Sequence, residues 1–142
     1  MILLDANLLI CAVNEEAPLH RRAKRWLQET MEGAETVGLS WSVLLAFLRV
    51  TTRPGLFRHP MPLQEAFRLV DSLLSQPVVT LINPGPRHLR SLQELLGPLG
   101  TAGNLVPDAH LAALAIEHGA LLCSTDSDFA RFSGLHWHNP LA

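Results

Sequence analysis

The sequence predicts an α/β protein, a sandwich in which helices cover both faces of a central, mostly parallel sheet of five strands. Three observations carry this. Short apolar runs alternate with longer amphipathic stretches from end to end of the chain. Gly, Pro, Asn and Ser punctuate the junctions. Aspartates stand directly behind apolar runs, at places where a strand gives way to a helix. Alternation of this kind implies right-handed crossovers and parallel pairing.

Taken in order, Ile2 to Leu4 reads as a buried strand, and Leu8 to Val13 as the first turns of a helix entered through Asp5 and Asn7. His20 to Gln28 places Ala23, Trp26 and Leu27 on one side and charge elsewhere, an amphipathic helix. Thr36 to Leu39 is a second strand, after which Ser40 caps a helix through Leu48 that ends before Pro54-Gly55. Pro62 starts a helix that Pro77 closes, with Pro tolerated at an early position. Val78 to Ile82 is a third strand, Arg87 to Leu96 a helix, and Gly97 to Asn104 a turn-rich loop. A long helix runs from Asp108 to Gly119, which terminates it. Leu121 to Ser124 and Leu135 to His138 complete the strands.

A chain of 142 residues, 48% hydrophobic, fits one domain spanning residues 1–142 with a sizeable core. Its net charge of −2 provides no global positive field for a polyanion, so nucleic-acid contacts must be local. Every apolar stretch is interrupted too early to cross a bilayer. Asp5 also interrupts the N-terminal apolar run, with no basic segment before it, so a signal peptide is not expected. Cys11 and Cys123 lie in apolar segments and read as core thiols rather than a disulfide. A cytoplasmic protein without membrane association is the expectation.

Four carboxylates carry the chemistry: Asp5, Asp108, Asp126 and Asp128. Singly, each has an ordinary reading, as a helix cap, a first-turn acid favoured by the helix dipole, or a solvated turn. Together, at equivalent ends of strands, they form the crevice in which open α/β sheets bind ligands. Anions brought together repel unless a cation neutralises them. Oxygen-only donors suit a hard ion, Mg²⁺ or Mn²⁺. Such an ion favours attack of water on a phosphodiester. Asn7 and Thr125 are placed to hold ligands or water in position.

These residues resemble the PIN-domain ribonucleases, and within them the VapC-like toxins of type II toxin–antitoxin pairs. The likeness rests on Leu4-Asp5-Ala6-Asn7-Leu8-Leu9, Phe47-Leu48-Arg49, Asn104 to Ala115 around Pro107-Asp108-Ala109-His110, and Ser124-Thr125-Asp126-Ser127-Asp128-Phe129, in this order and spacing. The resemblance implies a PIN-like α/β/α sandwich and Mg²⁺- or Mn²⁺-dependent cleavage of RNA. It also implies a homodimer and inhibition by a cognate, VapB-like antitoxin. It departs at one position: where the family usually has a glutamate three residues before Arg49, this chain has Ala46. The implied ion is therefore held by Asp5, Asp108 and Asp126, with Asp128 assisting, and a second ion is weak or substrate-dependent.

Two other readings compete. A PIN-like domain that lost catalysis with its glutamate would bind RNA or a partner without cutting. A haloacid-dehalogenase-like phosphatase needs a second Asp two residues after the first, where this chain has Asn7, and a lysine that is missing near Asp108 and Asp126.

Among the remaining polar residues, Arg49 is the best placed to meet phosphate or a pocket carboxylate, since it shares a helix with Ala46. Arg21, Arg22, Lys24 and Arg25 form either a solvated face or an RNA-tracking one. His136 and His138 share one strand face but lack further zinc ligands nearby. His110 is expected to pack or bond rather than ligate, and His20, His59, His88 and His118 to lie at the surface or at helix ends. The apolar residues Trp26, Leu27, Trp41, Leu44, Leu45, Phe47, Phe57, Phe67 and Leu69 exceed what one small sheet face requires; most are expected in the core, and the surplus is available to an antitoxin helix or a dimer contact.

Overall fold

A computed structural model describes residues 1–142. Its strands are β1 (Ile2–Leu4), β2 (Val37–Leu39), β3 (Val79–Leu81), β4 (Leu121–Cys123) and β5 (Trp137–His138). They form one sheet of order β3-β2-β1-β4-β5, and every neighbouring pair is parallel. The helices are α1 (Ala6–Val13), α2 (His20–Glu32), α3 (Trp41–Thr52), α4 (Leu63–Leu74), α5 (His88–Leu96) and α6 (Val106–Glu117).

This order explains the sandwich. The chain steps outward from β1 to β2 to β3 and then returns across β1 to β4, reversing its direction along the sheet. Right-handed crossovers then send α1 to α4 to one face and α5 with α6 to the other. The packing agrees: α1 lies against α2 and α3, α3 against α4, and α5 against α6. Leu3, Leu4, Val37, Leu39 and Leu122 are fully buried between the two layers. With helices on both faces, the central strands carry the continuous apolar character of parallel sheets. α6 is the most deeply seated helix, with Ala109, Leu111, Ala112, Ala113, Leu114 and Ala115 all buried; its alanines allow close approach to the sheet.

The five parallel strands and the helical layers predicted from sequence are present. Differences lie at the ends of elements. α1 begins at Ala6 because the Asp5 carboxylate accepts from the Ala6 N–H and caps it. α6 begins at Val106, so Pro107 occupies a first-turn position and Asp108 follows it in the same turn rather than heading the helix. β5 is reduced to two residues. β3, an edge strand, is short and largely exposed, as edges commonly are. Gly119, at φ 61°, takes the left-handed position after α6 that releases the chain into β4. Both cysteines are free. No helix is long and apolar enough to cross a membrane.

Candidate metal centre

Strand register determines which groups meet. Leu4 of β1 pairs with Cys123 of β4, and Leu3 with Gly38 of β2. The next residue of each strand is therefore level with its neighbours: Ser40, Asp5 and Ser124 form a row across the carboxyl ends of three central strands. The ladder continues into this row through the Asp5 N–H, which donates to the Cys123 carbonyl at 3.0 Å.

Three carboxylates converge beside the row. Oxygens of Asp108, from the first turn of α6, and of Asp126 and Asp128, from the segment after β4, all lie within 4.8 Å of one another. Asp126 caps a short 3₁₀ turn (Ser127–Arg131) by accepting from the Asp128 N–H at 2.9 Å, which folds the two acids toward each other. Asp5 lies alongside with both oxygens engaged. Oδ1 accepts from the Ala6 N–H at 2.7 Å, and Oδ2 accepts from the Ser124 hydroxyl at 2.7 Å and the Asn7 amide at 3.1 Å. Three or four carboxylate oxygens and no sulfur or imidazole make a donor set that fits a hard divalent ion.

Ser124 is the residue that sequence reasoning missed. Fully buried, its hydroxyl donates to Asp5 and accepts from the Asn7 amide at 3.0 Å and the Asp126 N–H at 3.0 Å. Its carbonyl accepts from the Trp137 indole at 3.0 Å. One side chain thus ties two of the acids to the end of β4. Thr125, singled out from the sequence, contributes through its backbone N–H, which donates to the Asn7 side-chain Oδ1 at 3.4 Å.

Burial and mutual repulsion both act on these acids. The Asp108 carboxyl is pushed up to about 6, first by burial and then by Asp126, Asp5 and Asp128. Burial also raises Asp5 against the lowering effect of its bonds to Ser124 and Ala6, and Asp126 adds to the rise. Between the ordinary value of 3.8 and about 6, Asp108 binds more proton when folded than when unfolded. Its contribution to stability therefore falls as pH rises through that window and is flat above it. Thermal unfolding in chelator is expected to show a larger loss of Tm from pH 5 to pH 7 for the native chain than for Asp108→Asn. Saturating Mg²⁺ should shrink that loss. Equal slopes for the two proteins in chelator would contradict this electrostatic picture.

The other expected residues are placed as follows. Arg49 is exposed on α3 and forms no ion pair. Ala46 is half-buried and packs against the core. Arg21, Arg22, Lys24 and Arg25 are all exposed along the start of α2, and Arg22 donates to the Ala142 carbonyl. His136 and His138 are exposed.

His88 stands at a helix end, as expected. Half-buried at the start of α5, it lies between Glu117 and His110 of α6. The Glu117 carboxylate accepts from His88 Nδ1 at 2.8 Å and from the Gly85 N–H at 3.1 Å. His88 Nε2 is 2.8 Å from His110 Nδ1. Burial, and secondarily His88, hold His110 below its ordinary value, in keeping with a neutral ring. The chain of bonds fastens α5 along α6, a join that no local sequence pattern reports.

Known proteins resemble this chain over its whole length. The PIN domain family model matches residues 2–135. Ribonuclease VapC37 of Mycobacterium tuberculosis is 46% identical over 142 residues, covering 100% of this chain and 99% of that protein. Ribonuclease VapC33 of the same species is 45% identical over 141 residues, with 99% of each covered. Among solved structures, VapBC2 from Rickettsia felis, bound to a DNA fragment from its promoter, superposes with a TM-score of 0.72 at 22% identity, covering 98% of each chain. M. tuberculosis VapC20, described as a sarcin–ricin loop cleaving toxin, gives 0.67 at 19% identity over 96% of this chain and 99% of that one.

Proposed function

This chain belongs to the PIN-domain family, with relatives named VapC ribonucleases, and on that premise we propose that it is a divalent-metal-dependent endoribonuclease, the toxin of a type II toxin–antitoxin pair. The observation that carries the proposal is the convergence of Asp108, Asp126 and Asp128 beside Asp5 at the carboxyl ends of β1 and β4. A structural network would pair such acids with cations, yet no Lys, Arg or N-terminal ion pair of the protein involves any of them.

In this reading Asp5, Asp108 and Asp126 hold Mg²⁺ or Mn²⁺, and Asp128 assists from the exposed side. An ion held there would supply positive charge that favours attack of water on the phosphodiester. The protein contributes position. Ser124 and Asn7 orient the Asp5 carboxylate, Asp126 is kept in place through its own N–H to Ser124, and the buried body of α6 presents Asp108. Ala46 supplies no carboxylate, so this reading needs only the acids at the ends of β1 and β4 and on α6.

The partners follow by the same route. RNA is the substrate. The relatives solved as VapBC pairs suggest a VapB-like antitoxin, and the exposed apolar residues Leu45, Leu56, Leu63 and Phe67 offer it and a second copy of the chain surface to cover. A cytoplasmic homodimer made of one domain over residues 1–142 is proposed accordingly.

The test is cleavage of a mixed, structured RNA pool by antitoxin-free protein with Mg²⁺, with Mn²⁺ and with chelator. Defined cuts that require metal are expected. A folded protein that binds Mn²⁺ and RNA but leaves the pool intact under all three conditions would instead indicate a binding domain whose catalysis went with the glutamate at position 46.

A further inference from the structure

A site built from three converging carboxylates, on a protein of net charge −2, repels the polyanion it is proposed to cut. Affinity must therefore come partly from contacts that do not depend on phosphate charge. Stacking of bases on aromatic rings is the usual contact of that kind for single-stranded RNA.

Trp41 meets this need by position. It is the first residue of α3, directly after Ser40, which caps that helix by accepting from the Val43 N–H at 3.3 Å. Ser40 belongs to the row across the strand ends and is level with Asp5. Neighbouring strands lie about 4.8 Å apart, so the backbone of Trp41 begins one residue from the row and one strand from the Asp5 carboxylate.

Exposure distinguishes it from the other two tryptophans. Trp41 is 48% exposed, whereas Trp26 and Trp137 are half-buried against the core and Trp137 is bonded to Ser124. A large ring kept half in water one residue from the row of strand ends has an evident use when a flat apolar ligand docks there. The hydroxyl of exposed Ser42, 2.8 Å from that of Ser40, adds a polar group at the same helix start.

We infer that Trp41 is a substrate-positioning residue that stacks a nucleobase of single-stranded RNA next to the scissile phosphate. The inference rests on the ribonuclease reading. It implies preference for unpaired over helical RNA around the cut, because a paired base has no free face to offer.

Two measurements on the full chain test it. In steady-state cleavage of a single-stranded oligoribonucleotide, Trp41→Ala is expected to raise KM about tenfold, more than it lowers kcat, and Trp41→Phe to stay near the parent. An unchanged KM overturns the inference. So does a rise in KM that accompanies loss of a dimer in light scattering, which would make Trp41 a contact between copies.

The second measurement needs no turnover. In chelator, the same oligonucleotide is expected to quench tryptophan fluorescence, and Trp41→Phe to remove most of that quench. A quench that persists in Trp41→Phe, or no quench in the parent, overturns the inference. Failure of the ribonuclease reading is a separate result: no cleavage with any metal while the Trp41-dependent quench remains.

Discussion

Asp5→Asn is expected to lower RNA cleavage by at least about 10²-fold while leaving the fold intact. Asparagine keeps the shape of the side chain and one oxygen, so it can still cap α1 by accepting from the Ala6 N–H. What it loses is charge, at a position where the Ser124 hydroxyl and the Asn7 amide both aim at one oxygen. An amide placed there also puts its NH₂ against donors or gives up one of those bonds. The variant should therefore bind Mn²⁺ more weakly, read by the paramagnetic signal of the free ion, and should hold single-stranded RNA at least as well, since one repelling charge is gone. Unaltered cleavage would remove Asp5 from the site. Lost cleavage together with lost RNA binding would point to misfolding, which circular dichroism and Tm would register. Asp108→Asn provides a parallel, with less structural risk because no hydrogen bond fixes the Asp108 carboxylate.

Much of this arrangement was legible in the sequence, for reasons visible residue by residue. Asp5 announces itself because it directly follows a fully apolar strand, and burial of an acid at that point has no use in solubility. Asp108 and Asp126 stand at the other strand-to-helix and helix-start positions, and a parallel sheet must bring such ends to one side. The details that escaped are those set by register and by packing between distant segments. Whether Ser124 or Thr125 faces Asp5 depends on Leu4 pairing with Cys123, and a shift of one residue would exchange their roles. The bonds from His88 to Glu117 and His110 join residues 29 and 22 positions apart, and each looks like an ordinary helix residue in its own segment. Helix starts moved by two residues around Pro107 because proline suits the first turn as well as it suits a boundary.

Ser124→Ala tests the part of the site that the sequence did not single out, and two separate losses are expected from it. The first is stability. The substitution removes a fully buried hydroxyl and leaves the Asp126 N–H and the Asn7 amide short of an acceptor and Asp5 short of a donor, at a cost of about 1–3 kcal/mol. The second is activity, about tenfold or more, because Asp5 and Asp126 lose the group that orients them. The pH dependence separates the two. The hydroxyl favours the charged form of Asp5, whose carboxyl is already raised by burial; without it the carboxyl rises further. The acid limb of the pH–rate profile should consequently move to higher pH in Ser124→Ala. Ser124→Thr, which keeps the hydroxyl, should leave the limb where it is, even if its extra methyl group crowds the strand end. A lower rate with an unshifted acid limb in Ser124→Ala would mean that Ser124 supports the end of β4 without acting on Asp5.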